Sequence, residues 1–250
     1  MAQNIILCDD HALLRNGIKS WIETHSPYKV THEAGTWAEC EKIIDSIAAT
    51  IRSINTSAAE CSRETATSTP SVRIKPRGND VLAPEAQNGA IAIVDISFKA
   101  EYTTAGYEEN CGFEIIRRLT ALGIPCIAYS SHDSGGFVEH ATSAVVGAKG
   151  FVSKNADETI LLAAINAVAN GKSYIQAELV TGLLEVRDIA QTFTKKEKRV
   201  AEELTIYNTN AEVAAALGIT EKTVVNYLTI MYDKAGVKNK LEFLQKMGRL

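Results

Sequence analysis

Two carboxylates, Asp9 and Asp10, follow the apolar run Ile5-Ile6-Leu7-Cys8, and a third, Asp95, closes the run Ile91-Ala92-Ile93-Val94. The run Cys126-Ile127-Ala128-Tyr129 stops at Ser130, and Gly150-Phe151-Val152-Ser153 stops at Lys154. A short apolar run that ends on a polar group reads as a buried parallel strand carrying that group to the edge of a sheet. In an open α/β sheet the ligand crevice lies beyond the carboxyl ends of the strands. Carboxylates, a hydroxyl and an ammonium gathered there suit a divalent cation beside a phosphoryl group. The chemistry they predict is phosphorylation of an aspartate.

Placing those groups together requires strands and helices in alternation. Strands are expected at 4–8, 28–33, 90–95, 125–130 and 149–153. Helices are expected between and after them, the first with Leu13, Leu14, Ile18, Trp21 and Ile22 on its apolar face. The second spans 36–50, with Trp37, Cys40, Ile43, Ile44 and Ile47 at helical spacing. Further helices fall at 113–122, 136–146 and 157–170, the last stopped by Gly171. Five β/α units imply a doubly wound, five-stranded parallel sheet with right-handed crossovers. From Lys195 the pattern is purely helical, at 195–206, 210–217, 221–235 and 240–248. The fold class is α/β followed by an all-α unit.

Composition agrees with a globular chain: 46% of the residues are hydrophobic and 22% charged, enough to bury a core. No apolar run approaches the ~18 residues of a membrane span and no signal-like segment opens the chain, so no membrane association and a cytoplasmic location are expected. Cys8, Cys40, Cys61, Cys111 and Cys126 form no Cys-x-x-Cys pair, which favours reduced thiols over disulfides or zinc. His132 and His140 lack metal-helix spacing and are read as surface or core residues. Charge is unevenly spread. Residues 1–190 carry 16 Lys and Arg against 23 Asp and Glu, whereas residues 191–250 carry 10 against 7, so only the tail is suited to an anionic partner. Two segments interrupt the rhythm. Residues 51–89, rich in Ser, Thr and Ala with Pro70, Pro76 and Pro84, are expected to be a flexible insertion. Residues 97–111 are expected to be a long polar loop beside the site, either a lid, a partner contact or surface decoration.

Cys8-Asp9-Asp10-His11, Val94-Asp95, Ala128-Tyr129-Ser130-Ser131-His132-Asp133 and Gly147-Ala148-Lys149-Gly150-Phe151-Val152-Ser153-Lys154 resemble the receiver domain of two-component response regulators. The resemblance covers residues 1–172 apart from the insertion, and it implies a flavodoxin-like strand order 2-1-3-4-5. It also implies that Asp95 is the phosphoacceptor and that Mg²⁺ is held by Asp9, Asp10, Asp95 and the carbonyl of Ser97. Lys154 would balance phosphoryl charge, and Ser130 with Phe151 would form the switch. Mg²⁺ takes hard oxygen ligands, and the transfer needs positioning and charge neutralisation. One departure is plain: Ile96-Ser97-Phe98-Lys99 stands where receivers commonly have Met-Pro.

In the tail, Thr194 and Glu197 form a capping box. Asn210 to Leu217, the turn at Gly218 and a second helix capped by Thr220 have the spacing of a helix-turn-helix. The segment 194–250 resembles the LuxR/NarL-type DNA-binding domain, with 173–193 as a partly helical linker. Val224, Leu228, Met231 and Ala235 share one stripe and are expected in the core. Lys222, Val225, Asn226 and Thr229 lie opposite as candidates for base edges or phosphates, with Thr223 and Tyr227 toward the backbone. Lys195, Lys196, Lys238 and Lys240 would add sequence-independent attraction. The family commonly has Lys at the place of Val225 and often His at that of Tyr227.

The expected function is therefore a response regulator, phosphorylated on Asp95 by a histidine kinase, binding double-stranded DNA as a homodimer when active. It is expected not to be an enzyme beyond Mg²⁺-dependent self-phosphorylation and dephosphorylation. Two other readings stay open. One is a transcription factor with a degenerate receiver, driven by a protein partner or ligand. The other is a haloacid-dehalogenase-like hydrolase, against which Ser97 stands where a second Asp is usual.

Overall fold

The computed structural model describes residues 4–64, 89–98, 111–204, 207 and 209–248, with side chains described through residue 53 in the long second helix. The first unit is built from β1 (Asn4–Cys8), α1 (Ala12–His25), β2 (Lys29–Ala34), α2 (Trp37–Glu64), β3 (Ala90–Asp95) and α3 (Gly112–Ala121). It continues with β4 (Cys126–Ser130), α4 (Gly135–Thr142), β5 (Gly150–Ser153), α5 (Glu158–Ala169), β6 (Tyr174–Ile175) and α6 (Ala177–Thr192). The strands form one parallel sheet in the order β2-β1-β3-β4-β5-β6.

Strand side chains alternate between the two faces, as a strand period of two requires. Ile6, Cys8, Ala92, Val94, Cys126, Ala128 and Phe151 belong to a core shared with residues of α2, α3, α4 and α6. Ile5, Leu7, Ile91, Ile93, Ile127, Tyr129 and Val152 belong to a second core, shared with α1 and α5. Because both faces are covered, the inner strands β1, β3, β4 and β5 are apolar except at their ends, whereas the edge strand β2, Lys-Val-Thr-His-Glu-Ala, exposes Lys29, Thr31 and His32. Among the thiols, Cys8, Cys40 and Cys126 are buried and unbridged, and burial pushes Cys126 up to about 12. Cys61 lies outside the described side chains.

Four sequence expectations need correction. Leu13, expected on the apolar face of α1, is 90% exposed, and the buried stripe of that helix runs through Ile18 and Ile22 instead. The sheet has a sixth strand: β6 adds to the edge of β5 through Gly150↔Tyr174 and Phe151↔Ile175. A strand of two residues carries no periodic signal, so composition could not reveal it. Residues 51–64 are not loop but the continuation of α2, because no Gly or Pro stops that helix before Pro70. The helix expected to run to 146 ends at Thr142, where Thr142 Oγ1 and Ser143 Oγ turn back onto the carbonyls of Val138 and His140, both at 2.7 Å. Residues 65–88 of the expected insertion and 99–110 of the expected loop lie outside the described residues.

The chain after α5 turns at Gly171, whose φ of +73° is left-handed, and Lys172 N donates back to Ala167 O. Residues 173–193 are ordered secondary structure: β6, then α6, whose Leu179, Leu183 and Val186 are buried. The tail holds four helices, α7 (Lys195–Glu203), α8 (Asn210–Leu217), α9 (Glu221–Ala235) and α10 (Lys240–Lys246). Thr194 and Thr209 form capping boxes with Glu197 and Glu212, while Thr220 and Asn239 cap α9 and α10. Their core gathers Val200, Val213, Val224, Leu228, Met231, Ala235 and Phe243, joined by Val186 and Phe193.

Candidate functional site

The strand ends converge as parallel topology demands. Lys154, just beyond β5, places Nζ 2.7 Å from Asp9 Oδ2 and 2.8 Å from Asp95 Oδ2. The side chains of Asp9 and Asp95 are 1% and 0% exposed and that of Lys154 9%, so this bridge is buried and little screened by solvent. Asp9 Oδ1 accepts from the His11 backbone N at 2.8 Å, and Asp95 Oδ1 accepts from the Ser97 backbone N at 2.9 Å. Burial pushes the Asp95 carboxyl above its usual range and the neighbouring Asp9 adds to this, while the Lys154 ammonium pulls the other way.

One ammonium does not balance Asp9, Asp10 and Asp95. Asp10 Oδ1 and Asp95 Oδ2 are buried oxygens whose ion-pair neighbours give them no aligned hydrogen bond. One ligand atom each from Asp9, Asp10, His11 and Asp95 lies within 4.8 Å of the others. Such a set of hard oxygens with lone pairs to spare fits a divalent cation.

Ser130 ends β4, fully buried, and its Oγ accepts from His132 N at 3.0 Å, which leaves the hydroxyl proton for another acceptor. Ser97 is half-buried and its Oγ meets His132 Nδ1 at 3.2 Å. Phe151 sits inward on β5 with no exposure, in the core that holds Phe98, Phe137 and Leu183. The structure thus brings Asp9, Asp10, Asp95 and Lys154 into contact, with Ser97 and Ser130 at adjoining strand ends and Phe151 behind them in the core. Two residues without a role in the sequence reading also enter. His11 reaches the carboxylates, and its signal was only its place after Asp10. Gln176 accepts from Ser153 N through Oε1 at 2.9 Å, fixing the residue before Lys154; nothing in the sequence marks it.

In the tail, α9 separates its faces cleanly. Val224, Leu228, Met231 and Ala235 are buried, whereas Lys222, Val225, Asn226 and Thr229 are exposed along one side. Thr223 is half-buried, its Oγ1 2.8 Å from the capping Thr220 Oγ1, and Tyr227 is half-buried against the core. Thr229 Oγ1 donates to Val225 O at 3.0 Å. Lys238 and Lys240 stand apart from that face, in the turn after α9 and at the start of α10. Lys238 is exposed, and Lys240 Nζ donates to Tyr207 O at 3.4 Å. Lys195 and Lys196 are exposed on the first turn of α7. The exposed face of α9 thus carries one Lys and one Asn among small side chains, and a helix is an element that a DNA major groove is wide enough to admit.

Residues 191–247 match the family described as bacterial regulatory proteins, luxR family. The transcriptional regulatory protein UhpA of Escherichia coli (strain K12) is 36% identical over 136 residues, which is 54% of this chain and 67% of that protein. The transcriptional regulatory protein DesR of Bacillus subtilis (strain 168) is 30% identical over 135 residues, 54% of this chain and 65% of that protein. Among solved structures, RcsB from Salmonella enterica serovar Typhimurium, bound to promoter P1flhDC in the presence of phosphomimetic BeF3-, superposes with a TM-score of 0.56 at 17% identity. That superposition covers 99% of this chain and 98% of the other, and at such identity it speaks for the fold.

Proposed function

Since the chain belongs to the LuxR family of response regulators, with a receiver-type sheet joined to a helix-turn-helix DNA-binding domain, we propose that it is switched by phosphorylation of Asp95 by a histidine kinase. The observation that carries this reading is the buried bridge of Lys154 Nζ to Asp9 and Asp95, 2.7 and 2.8 Å long, beside oxygens with unused lone pairs. An Asp95 oxygen attacks the phosphorus of a phosphoryl group carried by the kinase, and the bond from phosphorus to its carrier breaks as the acyl phosphate forms. Asp9, Asp10, Asp95 and the Ser97 carbonyl hold Mg²⁺, which supplies charge neutralisation to the transfer when bound. Lys154 keeps its place between the carboxylates and offers its ammonium to the incoming phosphoryl oxygens. Ser130 donates its hydroxyl proton to a phosphoryl oxygen, and the β4 movement this requires is passed to the core around Phe151.

The phosphoryl group acts as a ligand that favours one of two states of the whole chain. In the active state two copies pair, and each places the Lys222–Asn226–Thr229 face of α9 in the major groove of double-stranded DNA, as a transcription regulator of the cytoplasm. Among the described residues no helix is long and apolar enough to cross a membrane. The test is intact-mass spectrometry after incubation with acetyl phosphate and Mg²⁺. One phosphoryl group is expected on the wild type and none on Asp95→Asn or without Mg²⁺. If neither an adduct nor binding of beryllofluoride is found, the phosphorylation reading is wrong and control by a partner takes its place.

A further inference from the structure

The imidazole of His11 stands over the same acidic pocket and has no part in the reading above. Its Nδ1 lies 2.8 Å from Asp10 Oδ1, 3.3 Å from Asp9 Oδ1 and 3.9 Å from Asp95 Oδ2. His11 precedes α1 in an extended conformation and makes no side-chain cap to that helix, so helix capping does not account for the ring's position. Nor does a satisfied Asp–His pair: in spite of the 2.8 Å approach, Asp10 Oδ1 receives no aligned hydrogen bond. Asp95 Oδ2, on a side chain with no exposure, likewise receives no aligned hydrogen bond although Lys154 Nζ stands 2.8 Å away.

The separations match a coordination shell. Around an octahedral ion with ligands at ~2.1 Å, neighbouring ligands stand about 3.0 Å apart and opposite ones about 4.2 Å apart. The two shorter Nδ1 distances fit neighbouring positions and the 3.9 Å distance is close to an opposite one. We propose that His11 Nδ1 is a direct ligand of the cation held by Asp9, Asp10 and Asp95, so that the site takes a first-row transition dication such as Mn²⁺ or Co²⁺ in preference to Mg²⁺. Imidazole is a borderline donor that Mg²⁺ uses poorly, and with a nitrogen in the shell affinity climbs from Mn²⁺ toward Co²⁺ and Ni²⁺. The His11 side chain is 63% exposed, so the ring stands on the solvent side of the pocket, where it can turn aside as the ion enters and then complete the shell.

The inference rests on the reading that this pocket holds a divalent cation, and the experiment separates the two. Electron spin-echo modulation of Mn²⁺ is recorded on the full chain and on His11→Asn and His11→Gln, with circular dichroism to establish that all three are folded. The expected result is ligand-nitrogen modulation in the wild type that both variants lose. Calorimetric Co²⁺ affinity should fall about tenfold or more in the variants while Mg²⁺ affinity stays within about twofold. Mn²⁺ that binds and is displaced by Mg²⁺ without nitrogen modulation, or whose modulation survives in the variants, overturns the role of His11 and leaves the cation site standing. No binding of either ion to the wild type overturns both.

Discussion

Lys154 is shared between two buried carboxylates, and the charge balance around it decides how stable the pocket is. Removing one partner of a buried ionic cluster leaves the others uncompensated, at a cost of about 3–5 kcal/mol. Lys154→Ala is therefore expected to destabilise the first unit by about that amount in a urea titration; a change under about 1 kcal/mol would mean that water already screens Asp9 and Asp95. A second, half-buried pair lies in the tail, where Lys234 Nζ meets Glu197 Oε2 at 2.7 Å, the Glu197 side chain being 5% exposed and that of Lys234 28%. That ammonium, with the Thr194 backbone N–H, holds the Glu197 carboxyl below the usual carboxylate range. With the folded value depressed, its stabilisation is complete above the unfolded value near ~4.3 and is lost as pH falls through the folded one. Melting of the wild type should decline more steeply between about pH 5 and 3 than melting of Glu197→Gln, and parallel curves would remove the pair from the acid response. Of these groups, Asp9, Asp95 and Lys154 were legible because each ends an apolar run. Glu197 was visible only as half of a capping box, since its bond to Lys234 spans 37 positions and leaves no local trace.

Helix α9 could be divided into buried and exposed faces from its spacing alone, because a 3.6-residue period leaves one solution once Val224, Leu228 and Met231 share a stripe. What spacing could not supply was affinity. Val225 is 44% exposed among residues proposed to face phosphates. Val225→Lys should strengthen binding to any duplex and steepen the dependence of log affinity on log salt by about one unit, measured by fluorescence anisotropy. An unchanged slope would place position 225 away from the backbone. Strand β6 is the opposite case, an element without a pattern. It depends on its ladder to β5 and on Gln176, whose Oε1 accepts the buried Ser153 N–H. Gln176→Ala leaves that donor unpaired and should cost about 1–3 kcal/mol by denaturant titration, whereas Gln176→Glu, which keeps an acceptor, should cost less.

At the scale of the molecule, the two units meet through glycine. A Cβ on Gly136 would lie 2.1 Å from Gly248 N, just past the end of α10, and within the first unit one on Gly135 would lie 2.0 Å from Gly182 O in α6. These are backbone atoms, which cannot yield as a flexible side chain does. Gly136→Ala should therefore push the tail from α4 and enlarge the radius of gyration in small-angle scattering, with helix content by circular dichroism unchanged. Scattering identical to the wild type would show that the approach is not maintained in solution. No pattern in the sequence marks this seam, because adjacent glycines in a loop-to-helix transition have many possible causes.

The sixth strand also determines where such a chain can be recombined. A splice at residue 172 would strip β5 of its outer neighbour, remove the side chain that holds Ser153 and discard the helix packed on α4. A different output unit can be grafted without those losses only after Thr192, so what looks like a spacer must stay with the sheet and is not part of the exchangeable cassette.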